Sequence, residues 1–267
     1  MNEFNAELIT NDLIDWLKYY FTNNGDENTM AVIGMSGGKD SLIAAALCAK
    51  VLGPERVLGV MMPNGEQADK DDASAAIDYL GIDGIEVNIK GICDAEYEVL
   101  ENLGMEITSA IKTNVPARVR MMTLYSIAAD AHGRVVCTSN RSERYVGYST
   151  KWGDGVGDLM PFGDLTVTEL YAIGDYLELP KHLLYKAPAD GMTGKTDEEV
   201  LGFTYKELDS YILKHELPED VETFRKIKQR HHLALRSPLP MAHRRGYYCQ
   251  RAPHHHLHHL TKTMGKQ

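Results

Sequence analysis

The chain has 267 residues, 43% of them hydrophobic, which is enough to bury a sizeable core. Its 38 acidic and 28 basic side chains give a net charge of −10 at pH 7, which argues against the concentrated basic surface of a nucleic-acid-binding protein. No apolar stretch approaches the roughly 18 residues of a membrane span. The chain starts with acids and helical apolar spacing (Leu8, Leu13, Ile14, Leu17) and has no signal-like core, so we expect a cytoplasmic protein with no membrane or nucleic-acid partner.

Strand-like apolar runs alternate with helical segments through the first half of the chain. The runs begin near residues 31, 56, 84 and 134. The helical segments are 41–52, 68–80 and the long region 93–131, in which Pro116 predicts a break between two helices. This alternation predicts an α/β fold with a doubly wound, mostly parallel sheet flanked by helices, of the Rossmann-like kind.

The segment GMSGGKDS, residues 34–41, lies between the first strand and the next helix, where backbone N–H groups can bind an anion. It is one residue shorter than the P-loop of ATPases, and Lys39 is followed by Asp40 instead of Ser or Thr. A carboxylate at this place is a suitable ligand for Mg²⁺. A turn that only folds a helix back onto a sheet is the alternative, and Ser36, Asp40 and Ser41 weigh against it.

The second half begins with a Gly- and Asp-rich stretch, residues 147–165, whose length predicts a functional loop. Thr166 is predicted to cap a helix that has Leu170, Ile173 and Leu177 on one face. Another loop and two last helices follow. We expect one domain over residues 1–267, ending in a flexible His-rich tail at about 245–267 to which no function is assigned.

Several segments resemble a known family. SGGKDS matches the S-G-G-x-D-S loop of the N-type ATP pyrophosphatases. The segment 114–128, NVPARVRMMTLYSIA, resembles the N-x-x-A-R-x-R-M helix of NAD synthetases. Segments 137–166 and 195–212 are similar to other motifs of that family, among them T-K-x-G-D-G, P-x-G-D-L and T-D-E-x-x-L-G-x-x-Y. The resemblance covers about residues 5–215 and implies an ammonia-dependent NAD synthetase.

The resemblance implies a role for each matching residue. ATP would be bound by Gly34, Met35, Ser36, Gly37, Gly38, Lys39, Asp40, Ser41 and Thr138. Ser36, Lys39 and Asp40 would serve catalysis, and Asp40 and Glu143 would hold Mg²⁺. Arg118, Lys151 and Asp158 would bind nicotinic acid adenine dinucleotide, also called deamido-NAD. Taken singly, Arg118 as a helix-surface charge and Asp158 as a turn residue are the alternative interpretations.

The implied reaction joins ATP, deamido-NAD and ammonia. The nicotinate carboxylate attacks the α-phosphorus of ATP, and ammonia then attacks the acyl adenylate to give NAD and AMP. The family also implies a homodimer. We expect free ammonia to be the nitrogen donor, because about thirty residues precede the loop strand and no Cys has the setting of an amidase nucleophile.

The sequence departs from the family pattern in three places. Val167 stands where many members carry a Lys that meets ATP phosphate, and Ala189, after Pro188, replaces a Ser or Thr. Restoring Lys at position 167 is therefore predicted to strengthen ATP binding. The C-terminal His-Lys pair has only loose candidates, which are His231, His232 and Arg236. Lys186 and Lys195 are candidates for the missing positive charge.

Two other classes of function stay open. A tRNA-modifying ATP pyrophosphatase shares the loop, but the net charge of −10 and the scattered Cys48, Cys93, Cys137 and Cys249 disfavour it. A non-catalytic nucleotide-binding module would explain Val167 and Ala189. The presence of Asp40 and Glu143 argues against that module.

Overall fold

A computed structural model of the chain describes residues 4–66, 70–186 and 196–236. In this part of the chain, four parallel strands form one sheet in the order β3-β2-β1-β4. They are β1 (Met30–Gly34), β2 (Val57–Met61), β3 (Asp83–Glu86) and β4 (Gly133–Val135). The predicted parallel α/β fold is confirmed.

Helices follow and flank the strands. They are α1 (Ala6–Asn24), α2 (Lys39–Leu52), α3 (Lys70–Leu80), α4 (Lys90–Asn102), α5 (Ser109–Asp130), α6 (Arg141–Val146), α7 (Val167–Tyr176), α8 (Lys181–Leu184), α9 (Asp197–Leu201), α10 (Tyr205–Lys214) and α11 (Val221–Arg236). Within the described ranges, none of these helices has the length and apolar character needed to cross a membrane.

The strand order reverses beside the 34–41 loop. From β1 the chain winds to β2 and β3 on one side and then returns to β4 on the other side of β1. Ligands of doubly wound sheets bind at such a reversal, outside the carboxyl ends of the strands. The residues that leave β1 and β4 therefore share the edge where a ligand is expected.

The sheet has an apolar core on each face because successive side chains of β1 point to opposite sides. Ala31 and Ile33 pack in the core shared with α1, α2 and α7, whereas Val32 packs on the opposite face with residues of β2, α4 and α5. A third apolar cluster joins α6, α7, α10 and α11 and contains Val167 and Tyr205. The second half of the chain thus has its own packing centre beside the loop.

The break predicted at Pro116 is wrong. Pro116 is buried inside α5, and the chain leaves the helical path earlier, over residues 103–108. Gly104 has a φ of 79°, a conformation that favours glycine, and the side chain of Thr108 caps α5 by accepting from the N–H of Ile111. The turn at Gly104 and the cap at Thr108 therefore determine where the two helices separate. Helix α5 continues through Pro116 although the proline has no N–H to donate.

Other sequence predictions differ in detail. The helix predicted at 68–80 begins at Lys70 among the described residues. Leu13, Ile14 and Leu17 of α1 are buried as predicted, but Leu8 is 56% exposed. The predicted cap of α7 is confirmed, because Thr166 and Glu169 form a reciprocal capping box.

Candidate active site

The conformation of the loop after β1 is fixed by a backbone hydrogen bond to β2 and by two serine hydroxyls. The N–H of Met35 donates to the carbonyl of Val60 at 2.9 Å, which ties the loop to β2. The Ser41 hydroxyl donates to the Gly38 carbonyl at 3.0 Å and lies 3.3 Å from the Ser36 hydroxyl. Gly37, with a φ of 76°, makes the turn. Gly38 is the N-cap of α2 and offers no side chain to the first N–H groups, which leaves them for an anion.

Two carboxyl groups meet at this edge of the sheet. Asp40 lies in the first turn of α2, and Glu143 lies in α6, shortly after β4. Glu143 is fixed by a capping box, in which Oε2 accepts from the N–H of Asn140 at 3.1 Å. Burial, and then the negative charge of Asp40, raise the pKa of Glu143 to about 8. The structure therefore brings together the two residues predicted to hold Mg²⁺.

The pair fits a magnesium ion. Oδ1 of Asp40 is buried and has no hydrogen-bond partner among the described residues. A carboxylate oxygen without a partner is costly unless a cation binds it. No cluster of three or more His, Cys, Asp or Glu side chains in the described ranges has a metal-binding arrangement. Two carboxylates, with water and phosphate oxygens as further ligands, are what Mg²⁺ commonly uses.

Lys39 lies beside these carboxylates. Its side chain is only 4% exposed, and Nζ lies 2.9 Å from Oδ2 of Asp40. The ammonium also faces the rings of Tyr171 and Tyr205, at 5.5 and 5.8 Å from their centroids. Burial lowers the pKa of Lys39, but the charges of Asp40 and Glu143 outweigh burial and raise this pKa overall. Lys39 is therefore a buried cation.

Asp197 is a neighbour that the sequence did not reveal. It is the first residue of α9, and its carboxylate accepts hydrogen bonds from the hydroxyls of Tyr148 at 3.1 Å and Tyr205 at 3.4 Å. Burial raises the pKa of Asp197, while these hydrogen bonds and Lys39 oppose the increase. The T-D-E segment is recognisable in the sequence, but its local pattern does not indicate that Tyr148 and Tyr205 donate hydrogen bonds to Asp197.

The residues predicted to bind deamido-NAD lie on two segments that contact each other. Arg118 of α5 is exposed and donates through Nε to the carbonyl of Lys151 at 3.2 Å. Asp158 is partly buried, and its Oδ2 accepts from the N–H of Val135 at 2.7 Å. Thr138 lies between β4 and α6, partly buried. Arg118 and Lys151 are thus in contact, and the Asp158 carboxylate is hydrogen-bonded to the last residue of β4.

Arg120 is a second residue that the sequence did not single out. It is two positions from Arg118 and therefore lies on another side of α5. Its Nε donates to the carbonyl of Met62, just beyond β2, at 3.1 Å. Burial lowers the pKa of Arg120, whereas the nearby acidic groups of Asp154 and, when ionised, Cys93 act in the other direction. The two arginines of the A-R-x-R segment thus contact different parts of the molecule, the 147–165 loop and the strand edge.

Val167, which stands where many family members have a Lys, is a residue of the apolar core. Val167 is 2% exposed and lies in the apolar cluster of α6, α7, α10 and α11. Its N–H donates to the Ser142 hydroxyl at 3.1 Å, and Asp209 accepts from the N–H of Thr168 at 2.8 Å. The start of α7 is therefore bound by protein groups.

The other loose candidates lie elsewhere or outside the described residues. The His231 ring stacks on Tyr145 at a centroid distance of 3.9 Å, which fastens α11 to α6. His232 is exposed on α11, and Lys186 forms an ion pair with Asp72. Arg236 ends α11, but its side chain is not described. Pro188, Ala189, Lys195 and the His-rich tail lie outside the described ranges.

The described cysteines are buried and unpaired by disulfides. They are Cys48, Cys93 and Cys137. Burial raises the pKa of Cys48 to about 12 and that of Cys137 to about 11, and burial also raises the pKa of Cys93. Since the thiolate is the reactive form, these three are structural thiols. Cys249 lies outside the described residues.

Comparisons with known proteins agree with the resemblance. The sequence profile of the family described as NAD synthase matches residues 9–242. The NH(3)-dependent NAD(+) synthetase of Carboxydothermus hydrogenoformans is 38% identical over 229 residues, which are 85% of this chain and 93% of that protein. Among solved structures, the NMN synthetase of Francisella tularensis has a TM-score of 0.78 and 32% identity over 87% of this chain and 95% of its own. An NH3-dependent NAD synthetase from Campylobacter jejuni has a TM-score of 0.69 and 27% identity over 89% and 98% of the two chains.

Proposed function

Because the chain belongs to the NAD synthase family, whose enzymes amidate deamido-NAD with ammonia in an ATP-dependent reaction, we propose that it performs this ligase reaction at the carboxyl edge of β1 and β4. The observation that carries the proposal is the proximity of Asp40 and Glu143 beside the phosphate loop, where a buried oxygen of Asp40 has no partner among the residues that the structure describes. A tRNA-modifying enzyme or a non-catalytic module is not needed to explain this arrangement.

The first step is the transfer of AMP to the substrate. An oxygen of the nicotinate carboxylate bonds to the α-phosphorus of ATP, and the bond from that phosphorus to the leaving pyrophosphate breaks. The N–H groups at the start of α2 and the Ser36 hydroxyl bind the leaving phosphates. Asp40 and Glu143 would hold Mg²⁺, which when bound would neutralise the charge of the leaving pyrophosphate. No nucleophile of the protein takes part, so positioning and charge supply the catalysis.

The second step forms the amide. The nitrogen of ammonia bonds to the activated carbonyl carbon, AMP leaves with the electron pair of the C–O bond of the mixed anhydride, and the surplus proton passes to water. Arg118 and Lys151 bind the anionic groups of the dinucleotide in this proposal, since an exposed guanidinium and an ammonium suit phosphate and carboxylate. Thr138 contacts ATP, and Asp158 binds the substrate while it holds the end of β4.

We propose a cytoplasmic homodimer. Apolar side chains are exposed on α4, on α5 and between them, namely Val99, Leu103, Met105 and Met122, with exposed fractions from 48% to 73%. Since α4 and α5 contact each other, these exposed apolar side chains offer a suitable surface for a second copy of the chain. Three buried thiols without disulfides fit a reducing compartment. Light scattering that gives the mass of an active monomer at assay concentration would contradict the dimer.

A second candidate substrate is the mononucleotide of nicotinate. It is favoured by the likeness to the Francisella NMN synthetase, which has the higher TM-score of the two structures compared. A synthetase that makes NMN by amidation needs a shorter substrate with the same carboxylate. The two candidates therefore differ only in whether an adenylate half is bound.

The test offers both substrates. The protein is incubated with ATP, Mg²⁺ and ammonium, together with either deamido-NAD or nicotinate mononucleotide, and the amide product and AMP are measured. We expect AMP and NAD in equal amounts and a higher kcat/KM for deamido-NAD. A higher kcat/KM for the mononucleotide would favour the second candidate, and AMP without either amide would contradict both.

A further inference from the structure

Lys39 occupies a place that local preferences do not explain. It is the first residue of α2, where the positive end of the helix dipole disfavours a cation. It is also buried, and an ammonium without water is costly unless it is paired. In the S-G-G-x-D-S loop, Lys39 stands at the variable position. Its burial must therefore depend on groups that surround it in the folded protein.

Those groups are the carboxyls of the magnesium site and two aromatic rings. Nζ of Lys39 lies 2.9 Å from Oδ2 of Asp40, and Glu143, when ionised, also favours the ammonium. Tyr171 of α7 and Tyr205 of α10 face it with their rings. Such contacts are strongest where water is excluded. The cation is thus bound on one side by the metal ligand and on the other by aromatic rings.

We propose that Lys39 is a resident counter-ion of Asp40, which a divalent ion displaces, so that the released ammonium becomes available to the phosphates of the nucleotide. This inference rests on the proposed function in one respect, the assignment of Asp40 and Glu143 as metal ligands. Oδ2 of Asp40 cannot bind the ammonium and a metal ion equally well at the same time. Oδ1, which has no hydrogen-bond partner among the described residues, can bind the metal ion first.

The charges of the site favour this exchange only when phosphate is present. Once Asp40 and Glu143 are both ionised, as metal binding requires, Lys39, Asp40 and Glu143 together carry one negative charge, and a divalent ion changes this to one positive charge. Two cations a few ångströms apart in a buried site repel each other strongly. The polyphosphate of ATP relieves that repulsion because it offers oxygens to both. Metal and nucleotide are therefore expected to bind cooperatively.

The decisive test measures metal binding without turnover. Binding of Mn²⁺ is followed by electron paramagnetic resonance in wild-type protein and in Lys39→Met, both free of nucleotide. We expect Lys39→Met to bind Mn²⁺ at least about tenfold more tightly, because the competing cation is gone. Lys90→Met is the matched control, since Lys90 pairs with Asp94 on α4, where both side chains are more than half exposed, and should leave the Mn²⁺ affinity unchanged.

Two more readouts separate this role from a structural one. In EDTA, Lys39→Met should melt at a lower temperature than wild type. Saturating Mn²⁺ should raise the melting temperature of Lys39→Met by more than it raises that of wild type. The KM for ATP should rise, because the ammonium no longer reaches phosphate. If Lys39→Met does not fold, Lys39→Gln serves the same comparison with a side chain that stays polar.

The outcomes are distinct. Tighter Mn²⁺ binding in the variant supports the proposal, and it does so even if the wild type makes no amide product and the proposed function fails. Equal or weaker Mn²⁺ binding in Lys39→Met and Lys39→Gln, or no Mn²⁺ binding by either variant or by wild type, would overturn it.

Discussion

The hydroxyl of Tyr148 donates a 3.1 Å hydrogen bond to Oδ1 of Asp197, which joins the segment after α6 to the first turn of α9. Tyr205 donates to the other oxygen of the same carboxylate at the longer distance of 3.4 Å. Because Glu143 lies on α6 and Tyr205 faces Lys39, this carboxylate connects the elements that surround the candidate metal site.

The first prediction concerns these two phenols. Tyr148→Phe should lower the free energy of unfolding by about 1.5 kcal/mol, the lower end of the range for a hydrogen bond to a charged group. Tyr205→Phe should cost less, because its hydrogen bond is longer. Urea unfolding measures both. In an Asp197→Asn background the effect of Tyr148→Phe should shrink, and an undiminished effect would show that the hydroxyl stabilises the fold through another group.

Asp40 is expected to be essential for turnover and dispensable for folding. Asp40→Asn should lower kcat/KM by at least about a hundredfold, because a preorganised charge at the leaving group is lost. Its circular dichroism spectrum should be unchanged. Asp94→Asn, on the exposed face of α4, is the matched control and should keep normal activity. Near-normal activity of Asp40→Asn would contradict the assignment of Asp40 to the metal site.

The raised pKa of Glu143 predicts a pH dependence of stability in metal-free protein. The folded state keeps the proton of Glu143 to about pH 8, whereas an ordinary glutamate loses it near 4.5. The folded protein then binds more protons than the unfolded chain, so this contribution to stability is complete below about 4.5 and is lost as the pH rises through 8. In EDTA, the melting temperature of Glu143→Gln relative to wild type should therefore increase between pH 5 and 8.5.

The opposite direction is expected for metal binding. A metal ion requires the ionised carboxylate, so Mn²⁺ affinity of wild type should increase up to about pH 8.

A difference in melting temperature between Glu143→Gln and wild type that stays constant between pH 5 and 8.5 would show that the Glu143 carboxyl is already ionised in the folded protein.

How much the sequence could predict depended on whether the relevant contacts were local. The strand, loop and helix around residues 34–41 were predicted correctly because glycines, strand and helix formers lie within one short segment. The burial of Lys39 was not predictable in the same way, because Tyr171 and Tyr205 are far along the chain. Lys186 was one candidate for the positive charge missing at position 167, but it forms an ion pair with Asp72. Lys39 instead faces the ring of Tyr205, which belongs to the same apolar cluster as Val167.

Val167 now leads to a revised prediction. The sequence suggested that Val167→Lys would strengthen ATP binding, but this side chain is 2% exposed in an apolar cluster. Burying an ammonium there should lower the free energy of unfolding by roughly 3 kcal/mol. Val221→Lys, on a side chain that is 62% exposed, is the matched control and should have little effect. A stable Val167→Lys variant with a lower KM for ATP would show that the original expectation was right.

The last prediction is that glutamine cannot replace ammonia. Hydrolysis of the glutamine amide by a cysteine enzyme requires a thiolate, and burial raises the pKa of Cys48 to about 12 and that of Cys137 to about 11, so neither is ionised near neutral pH. Cys93 is buried as well, with a raised pKa. We therefore expect NAD formation with ammonium chloride and a collapse of the rate with glutamine that has been freed of ammonium.

The control for this prediction is a set of single Cys→Ser variants, which includes Cys249→Ser because that residue lies outside the described ranges. Each should keep the ammonium-dependent rate, apart from losses that follow from a less stable core, which melting temperatures identify. A glutamine-dependent rate close to that with ammonium in wild type, abolished by one Cys→Ser change alone, would show that this cysteine is a nucleophile. A glutamine-dependent rate that survives all four changes would instead indicate an amidase that copurifies with the protein, and removing that amidase should then eliminate the rate.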